Sequence, residues 1–200
     1  MKKQIFNRRV LLKTSVLAGT GFAIGIGFDP LTSFAVETSA SATKAADLGL
    51  WIRITADGTI TLIAPSSEMG QGVNTSLSMI IAEEMEADWQ SIKTETAPAN
   101  SDYKNPEQPL QITGASSSLR GFWQPLREVG AAAREMLKTA AAQKWDVPVR
   151  ECEAQSGKII HQKSGRDFSY GELAEAAGKL DIPSDPPLKS PVDYKLVGRS

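Results

Sequence analysis

Apolar and polar residues alternate from Leu50 to Thr55: Leu50, Ile52 and Ile54 take one side, Trp51, Arg53 and Thr55 the other. A period of two marks a half-buried strand. Asp57-Gly58 then supplies a turn signal, and Ile60 and Leu62 alternate with Thr59 and Thr61. The pattern predicts a β-hairpin whose second strand runs on through Ile60–Ala64. The period then changes. Val73, Leu77, Ile80, Ile81 and Met85 recur at helical spacing, with Glu83 and Glu86 on the opposite side. This predicts a helix over about 74–87 with Met79 and Met85 as packing residues. Ile92, Thr94 and Thr96 predict a further strand ended by Pro98, which makes a β–α–β-like unit.

Residues 99–109 form a polar loop, and a long helical stripe follows in Leu126, Val129, Ala133, Met136, Leu137 and Ala140. Pro125 must then lie in that helix's first turn or kink it. Glu151–Ala154 and Lys158–His161 flank Ser156-Gly157 as a second, shorter hairpin. Ser169-x-x-Glu172 is a capping box opening a helix that ends near Leu180, with Tyr170 and Leu173 packing. This order of elements predicts an α+β fold, a mixed and largely antiparallel sheet with helices packed on one face. Strand order is not legible in it. The expected domain spans residues 48–182, and residues 183–200, opened by a proline-rich stretch, read as a connector.

The first 35 residues are of another kind. Lys2, Lys3, Arg8 and Arg9 precede a mostly apolar run from Val10 to Phe28, and Ser33-Phe34-Ala35 is a small-x-small cleavage site. Arg8-Arg9-Val10-Leu11-Leu12-Lys13 looks like a twin-arginine export motif, with Asn7 where Ser or Thr is usual. The segment reads as a signal peptide, its glycine-rich apolar run being a poor membrane span. The expected location is therefore the periplasm or cell envelope. Residues 36–47 are rich in Ser, Thr and Ala and read as a flexible linker.

Charge changes the picture only modestly. The 200-residue chain has a net charge of −1, but beyond residue 35 it carries 17 basic and 22 acidic residues, a net of −5. An acidic body argues against nucleic-acid binding. One cysteine, Cys152, excludes an intrachain disulfide, and with one histidine, His161, no set of zinc or iron–sulfur ligands exists in the sequence. A Ser–His–Asp mechanism would need His161, and no nucleophile-elbow motif accompanies it. No catalytic residue and no metal ligand is assigned.

Candidate chemistry sits between the second strand and the first helix, in Ser66-Ser67-Glu68-Met69-Gly70-Gln71-Gly72-Val73-Asn74-Thr75. Glycines there let the backbone approach a ligand, and the following helix turns unpaired N–H groups and a partial positive charge to the same place. That is the chemistry of an anion cradle; from spacing alone a plain tight turn that happens to contain glycines is the better reading, because a single Gly-x-Gly is weak evidence. A second candidate is Thr113-Gly114-Ala115-Ser116-Ser117-Ser118-Leu119-Arg120, ahead of the long helix. Its serines can cap that helix or bind an anion, and Arg120 can grip a phosphate or stand in solvent.

The phrase Glu68-Met69-Gly70-Gln71-Gly72 with Thr75, together with the pattern of residues 113–120, resembles the molybdenum hydroxylases, the xanthine dehydrogenase and aldehyde oxidase family. The surrounding chain is most similar to the isoquinoline 1-oxidoreductase beta branch and related exported aldehyde dehydrogenases. The resemblance implies a molybdopterin cytosine dinucleotide held by Gly70, Gln71, Gly72, Val73 and Thr75, with Ser116, Ser118 and Arg120 beside it. It implies an oxidoreductase that hydroxylates N-heterocycles or oxidises aldehydes with water as oxygen donor. It also implies a small partner subunit that carries two iron–sulfur clusters. Members of the family are several times longer and have a Gly-x-Gly-Glu segment whose glutamate acts as base. That segment is absent here, and Glu68 does not match it. The chain therefore reads as the N-terminal piece of a large subunit, inactive alone. An exported binding or scaffold domain without cofactor is the alternative.

Overall fold

The structure, a computed structural model, describes residues 45–199. The expected signal peptide and most of the expected linker lie outside the described residues. Strands β1 (Ala45–Asp47), β2 (Ile52–Thr55), β3 (Ile60–Ala64) and β4 (Ile92–Thr96) form one sheet in that order. The β2–β3 hairpin pairs Ile52 with Leu62 and Ile54 with Ile60. Its turn is set by Gly58 at φ 89° and by the Asp57 carboxylate, which accepts the Thr59 N–H at 3.0 Å. β1 is a difference from expectation: residues 45–47, read as linker, pair antiparallel with β2. An edge strand held by main-chain hydrogen bonds needs no apolar alternation.

β3 and β4 are parallel, with Ile60 beside Ile92 and Leu62 beside Thr94. Parallel neighbours need a crossover, supplied here by helix α1 (Val73–Met85). Met85 is fully buried, in keeping with its packing role, and Met79 is half-buried.

Helix α2 (Ser118–Trp145) packs along α1. It runs through Pro125, which lies beyond its first turn. Phe122 and Leu126 are buried on either side of the proline, and their packing offsets the lost backbone bond. The second sheet comprises β5 (Cys152–Gln155), β6 (Lys158–His161) and β7 (Arg166–Ser169), all antiparallel. β7 adds a strand to the expected hairpin. Helix α3 (Tyr170–Ala177) opens on the expected capping box: Ser169 Oγ accepts the Glu172 N–H while the Glu172 carboxylate accepts the Ser169 N–H. Tyr170 and Leu173 are buried, and the Tyr170 hydroxyl donates to the Met85 carbonyl, fastening α3 to the end of α1. The fold is thus α+β, with helices and mixed sheets around one main core.

One expectation fails on α1. Glu83, read as lying on the polar side, is 3% exposed, and Glu84 is 1% exposed. Both are enclosed by the segment read as a connector. Glu83 accepts N–H bonds from Lys195, Leu196 and Val197 at 2.9, 2.6 and 3.0 Å and pairs with the Lys189 ammonium. Glu84 pairs with Arg127 at 2.7 Å and accepts the Lys189 N–H at 2.8 Å. Burial opposes ionisation of Glu83, but Lys189 and the three amides outweigh it and hold the carboxyl below its ordinary value. Buried carboxylates persist only when paired and hydrogen-bonded in this way.

Candidate functional site

The β3–α1 loop and the 113–118 loop meet at the N-termini of α1 and α2. They are stitched together by polar contacts. Ser66 Oγ donates to Ser118 Oγ at 3.0 Å, the Ser67 N–H donates to Thr113 Oγ1 at 2.7 Å, and Gln111 reaches the Pro65 carbonyl at 3.4 Å. Asn105, fully buried, donates to the carbonyl and hydroxyl of Ser117 at 3.2 and 3.1 Å and so fixes the start of α2. Gly121 is required beside it, since a Cβ there would meet Asn105 Oδ1 at 2.3 Å.

Between the loops lies a groove of about 310 Å³. Gln71, Ser76, Thr113, Ser116 and Ser118 give it polar walls; Met69, Val73 and Leu119 give it apolar ones. Gly70 and Gly72 stand at φ 94° and 77°, in the left-handed region, and no atom lies within 4 Å of where a Cβ would sit on either. The space above the loop is open, and only glycine holds this backbone without strain. Ala115 and Ser116 also have positive φ, 53° and 51°. Two successive non-glycine residues in that region store strain of order 1–3 kcal/mol each, which surrounding structure must hold in place.

The residues expected at the site divide. Gln71, Val73, Ser116 and Ser118 line the groove, with Gly70 and Gly72 forming the loop beneath it. Thr75 is exposed and does not line it; Ser76 does, its hydroxyl donating to the Gly72 carbonyl at 2.8 Å. A helical face decides this, because neighbours in a helix point about 100° apart. Arg120 does not line the groove either. Its guanidinium pairs with Glu107, Nε to Oε2 at 2.8 Å and Nη2 to Oε2 at 2.7 Å. Glu107 comes from the polar loop that precedes it in the chain, which no local pattern links to Arg120. Nor does a serine hydroxyl cap α2: Ser117 occupies the cap position, but its side chain donates back to the Gly114 carbonyl at 2.8 Å.

Sequence reading missed Thr113, Met69 and Leu119 as wall residues, and above all the role of Glu68. Glu68 Oε1 accepts the N–H groups of Gly70 and Gly72 at 2.8 and 2.9 Å, and Oε2 accepts that of Asn74 at 3.0 Å. Gln71 completes the ring, its amide donating to the Ser67 carbonyl at 3.0 Å and its oxygen accepting the Met69 N–H at 2.6 Å. The spacing of a carboxylate two and four residues before glycines was the available signal. The amides of Asn74 and Gly72 hold the Glu68 carboxyl below its ordinary value. Asn74 Oδ1 is buried without a protein partner, next in sequence to groove-lining Val73.

His161 sits elsewhere, buried at the end of β6 in the second sheet, 2.7 Å from the Ser164 hydroxyl and 3.2 Å from Glu151. Among the described residues no cluster of side chains suits a metal ion, and no helix is long and apolar enough to cross a membrane.

Comparison with known proteins adds the family. Residues 8–196 match the model of the molybdopterin cofactor-binding domain. The chain is 36% identical over 162 residues to the beta chain of the isoquinoline 1-oxidoreductase of Brevundimonas diminuta, covering 79% of this chain and 21% of that protein. It is 30% identical over 200 residues to a membrane-bound aldehyde dehydrogenase (pyrroloquinoline-quinone) of Gluconacetobacter polyoxogenes, covering 97% and 25%. It is 30% identical over 201 residues to a nicotinate dehydrogenase subunit of Pseudomonas putida, covering 97% and 16%. The chain thus spans a quarter or less of the length of these relatives. With a match over nearly its whole length, the chain belongs to the molybdopterin cofactor-binding domain family, within the molybdenum hydroxylases.

Proposed function

We propose that the groove between the Gly70–Gly72 loop and the 113–118 loop holds the pterin part of a molybdenum cofactor. The observation that carries this is the pair of left-handed glycines under open space, at a groove fed by two helix N-termini. The residues fit such a group. A pterin is a flat heterocycle with donors and acceptors on its edges, which suits hydroxyl and amide walls opposite Met69, Val73 and Leu119. Gln71, Ser76, Thr113, Ser116 and Ser118 would bind and orient the ring. When bound, the cofactor supplies the redox and oxygen-transfer chemistry of molybdenum; this chain's residues supply position and exclusion of water.

In this reading the chain is the molybdopterin-binding part of the large subunit of an oxidoreductase that hydroxylates N-heterocycles or oxidises aldehydes. The names of the relatives support that class of substrate. The cytosine dinucleotide form, a small partner subunit with iron–sulfur clusters, and water as oxygen donor follow from the same family reading. Export to the periplasm by the twin-arginine route is supported by Arg8-Arg9 and the apolar run after it. Turnover requires protein beyond these residues, none of which takes a catalytic role.

The test is retention of pterin by the full chain after loading with isolated cofactor, read by fluorescence of the oxidised pterin. Wild-type protein should retain it, and a G70V/G72V variant with unchanged circular dichroism should not. Absence of retention in the wild type, or equal retention in the variant, would overturn the assignment.

A further inference from the structure

We propose that Ser164 is a covalent modification site, a nucleophilic hydroxyl with His161 as its base, which takes the acyl group of an activated aryl ester. Its residues belong to the second sheet and the turns around it, apart from the cofactor groove.

His161, the single histidine of the chain, is 5% exposed at the end of β6. Both ring nitrogens have partners. Nε2 lies 3.2 Å from the Glu151 carboxylate and Nδ1 lies 2.7 Å from the Ser164 hydroxyl. Lys163, 2.7 Å from Glu151, and then His161 hold that carboxyl below its ordinary value, so it is ionised at neutral pH. An ionised carboxylate only accepts hydrogen bonds, so Nε2 carries the ring proton. Nδ1 of the neutral ring is then a lone pair, and Ser164 is the donor to it. Arg166 fixes the same direction from the other side. Its Nε–H donates to the Ser164 oxygen at 2.8 Å, which leaves the hydroxyl hydrogen for the imidazole.

A hydroxyl bonded to a base that a third group orients is the arrangement of an activated nucleophile. Access fits as well. Ser164 is exposed, whereas the imidazole behind it is buried and the Glu151 side chain is 16% exposed. The Arg166 guanidinium lies over the Trp145 ring, 5.5 Å from its centre, and so holds a positive charge beside Ser164 Oγ. Charge of that sign stabilises the oxyanion that forms when an ester carbonyl is attacked. The β6–β7 turn does not need these side chains to close. The Ser164 and Gly165 N–H groups already donate to the His161 carbonyl at 3.2 and 2.9 Å.

In the step, Ser164 Oγ attacks the ester carbonyl carbon and its proton passes to His161 Nδ1. The bond from that carbon to the aryloxy oxygen then breaks, and the departing oxygen takes the proton from the imidazolium. An acyl-serine and a phenol result, with no change of oxidation state. Glu151 acts through His161, so it is a positioning residue.

The experiment treats the full chain with p-nitrophenyl acetate and follows acetylation serine by serine by peptide mass spectrometry. Ser156, exposed in the turn between β5 and β6, is the internal control. In the wild type Ser164 should acetylate about a hundredfold faster than Ser156 or more, the lower end of what a positioned base contributes. The ratio should fall as acid protonates the imidazole. E151Q should lose roughly tenfold or more of the Ser164 rate, as orienting carboxylates do when made neutral, with Ser156 unchanged. Equal rates at Ser164 and Ser156 in the wild type would overturn the inference, an arm that needs no variant to fold. So would an E151Q protein whose Ser164 rate and pH profile match the parent's.

Discussion

Gly130 of α2 lies directly on the carbonyl of Ile81 in α1: a Cβ added to it would stand 2.5 Å from that oxygen and 2.9 Å from Glu84 Cβ. The contact sets the spacing of the two helices whose N-termini frame the groove. Ala131 and Ala133 beside it are also buried.

Replacing Gly130 by alanine sets two effects against each other. Helix propensity favours alanine by about 1 kcal/mol. Overpacking against a backbone that cannot swing aside costs about 1–3 kcal/mol. Clash should win, because the obstructing atom is main chain. Thermal and urea unfolding of G130A should show net destabilisation; a variant as stable as the parent would mean that the helices separate freely.

Glu83 predicts a dependence on acid. Its folded-state carboxyl is held below its ordinary value, so the native state favours the ionised form. The stability it contributes is complete above the unfolded carboxyl pKa of about 4.5 and is lost as pH falls through the lower folded value. Hydrogen exchange at Lys195, Leu196 and Val197 should therefore rise as pH falls below about 4.5, after correction for intrinsic rates. E83Q should show rapid exchange there at pH 7 and lose this part of the acid response. It should also destabilise by roughly 3–5 kcal/mol, the range for stranding one member of a buried pair. Exchange that is slow in E83Q at neutral pH would contradict the clamp.

Arg120 offers a test by expected silence. Its side chain is 63% exposed and its partner is Glu107, so R120A should cost under about 1 kcal/mol. Pterin retention should be unchanged. A clear loss of retention would return Arg120 to the binding site.

What the sequence disclosed follows distance along the chain. The β2–β3 hairpin, α1 and the Ser169–Glu172 capping box are written in residues within a few positions of one another, and each forms where its pattern lies. The groove was half legible for the same reason: glycines announce a loop, and hydroxyls near a helix start announce donors. Glu83 was misplaced because helical period assigns a carboxylate to solvent unless its partners are known, and these sit more than 100 residues later. Arg120 depended on Glu107, 13 residues back in an irregular loop. Glu68 was within reach but hidden by function, since a loop that resembles an anion cradle directs attention to its amides and not to the side chain that fills them.

The clamp on α1 also orders events in time. Glu83 and Lys195 are separated by 112 residues, and Lys189 lies 106 residues from Glu83. During synthesis at about 5–20 residues per second, the first carboxylate waits roughly 6–20 s for its last amides. Until then α1 cannot bury that end against the body without stranding the Glu83 carboxylate, whereas Glu84 already has Arg127 of α2. The nascent domain is therefore kept unlocked until residues 189–197 have left the ribosome, an interval in which a ligand can reach the loop at the other end of the same helix.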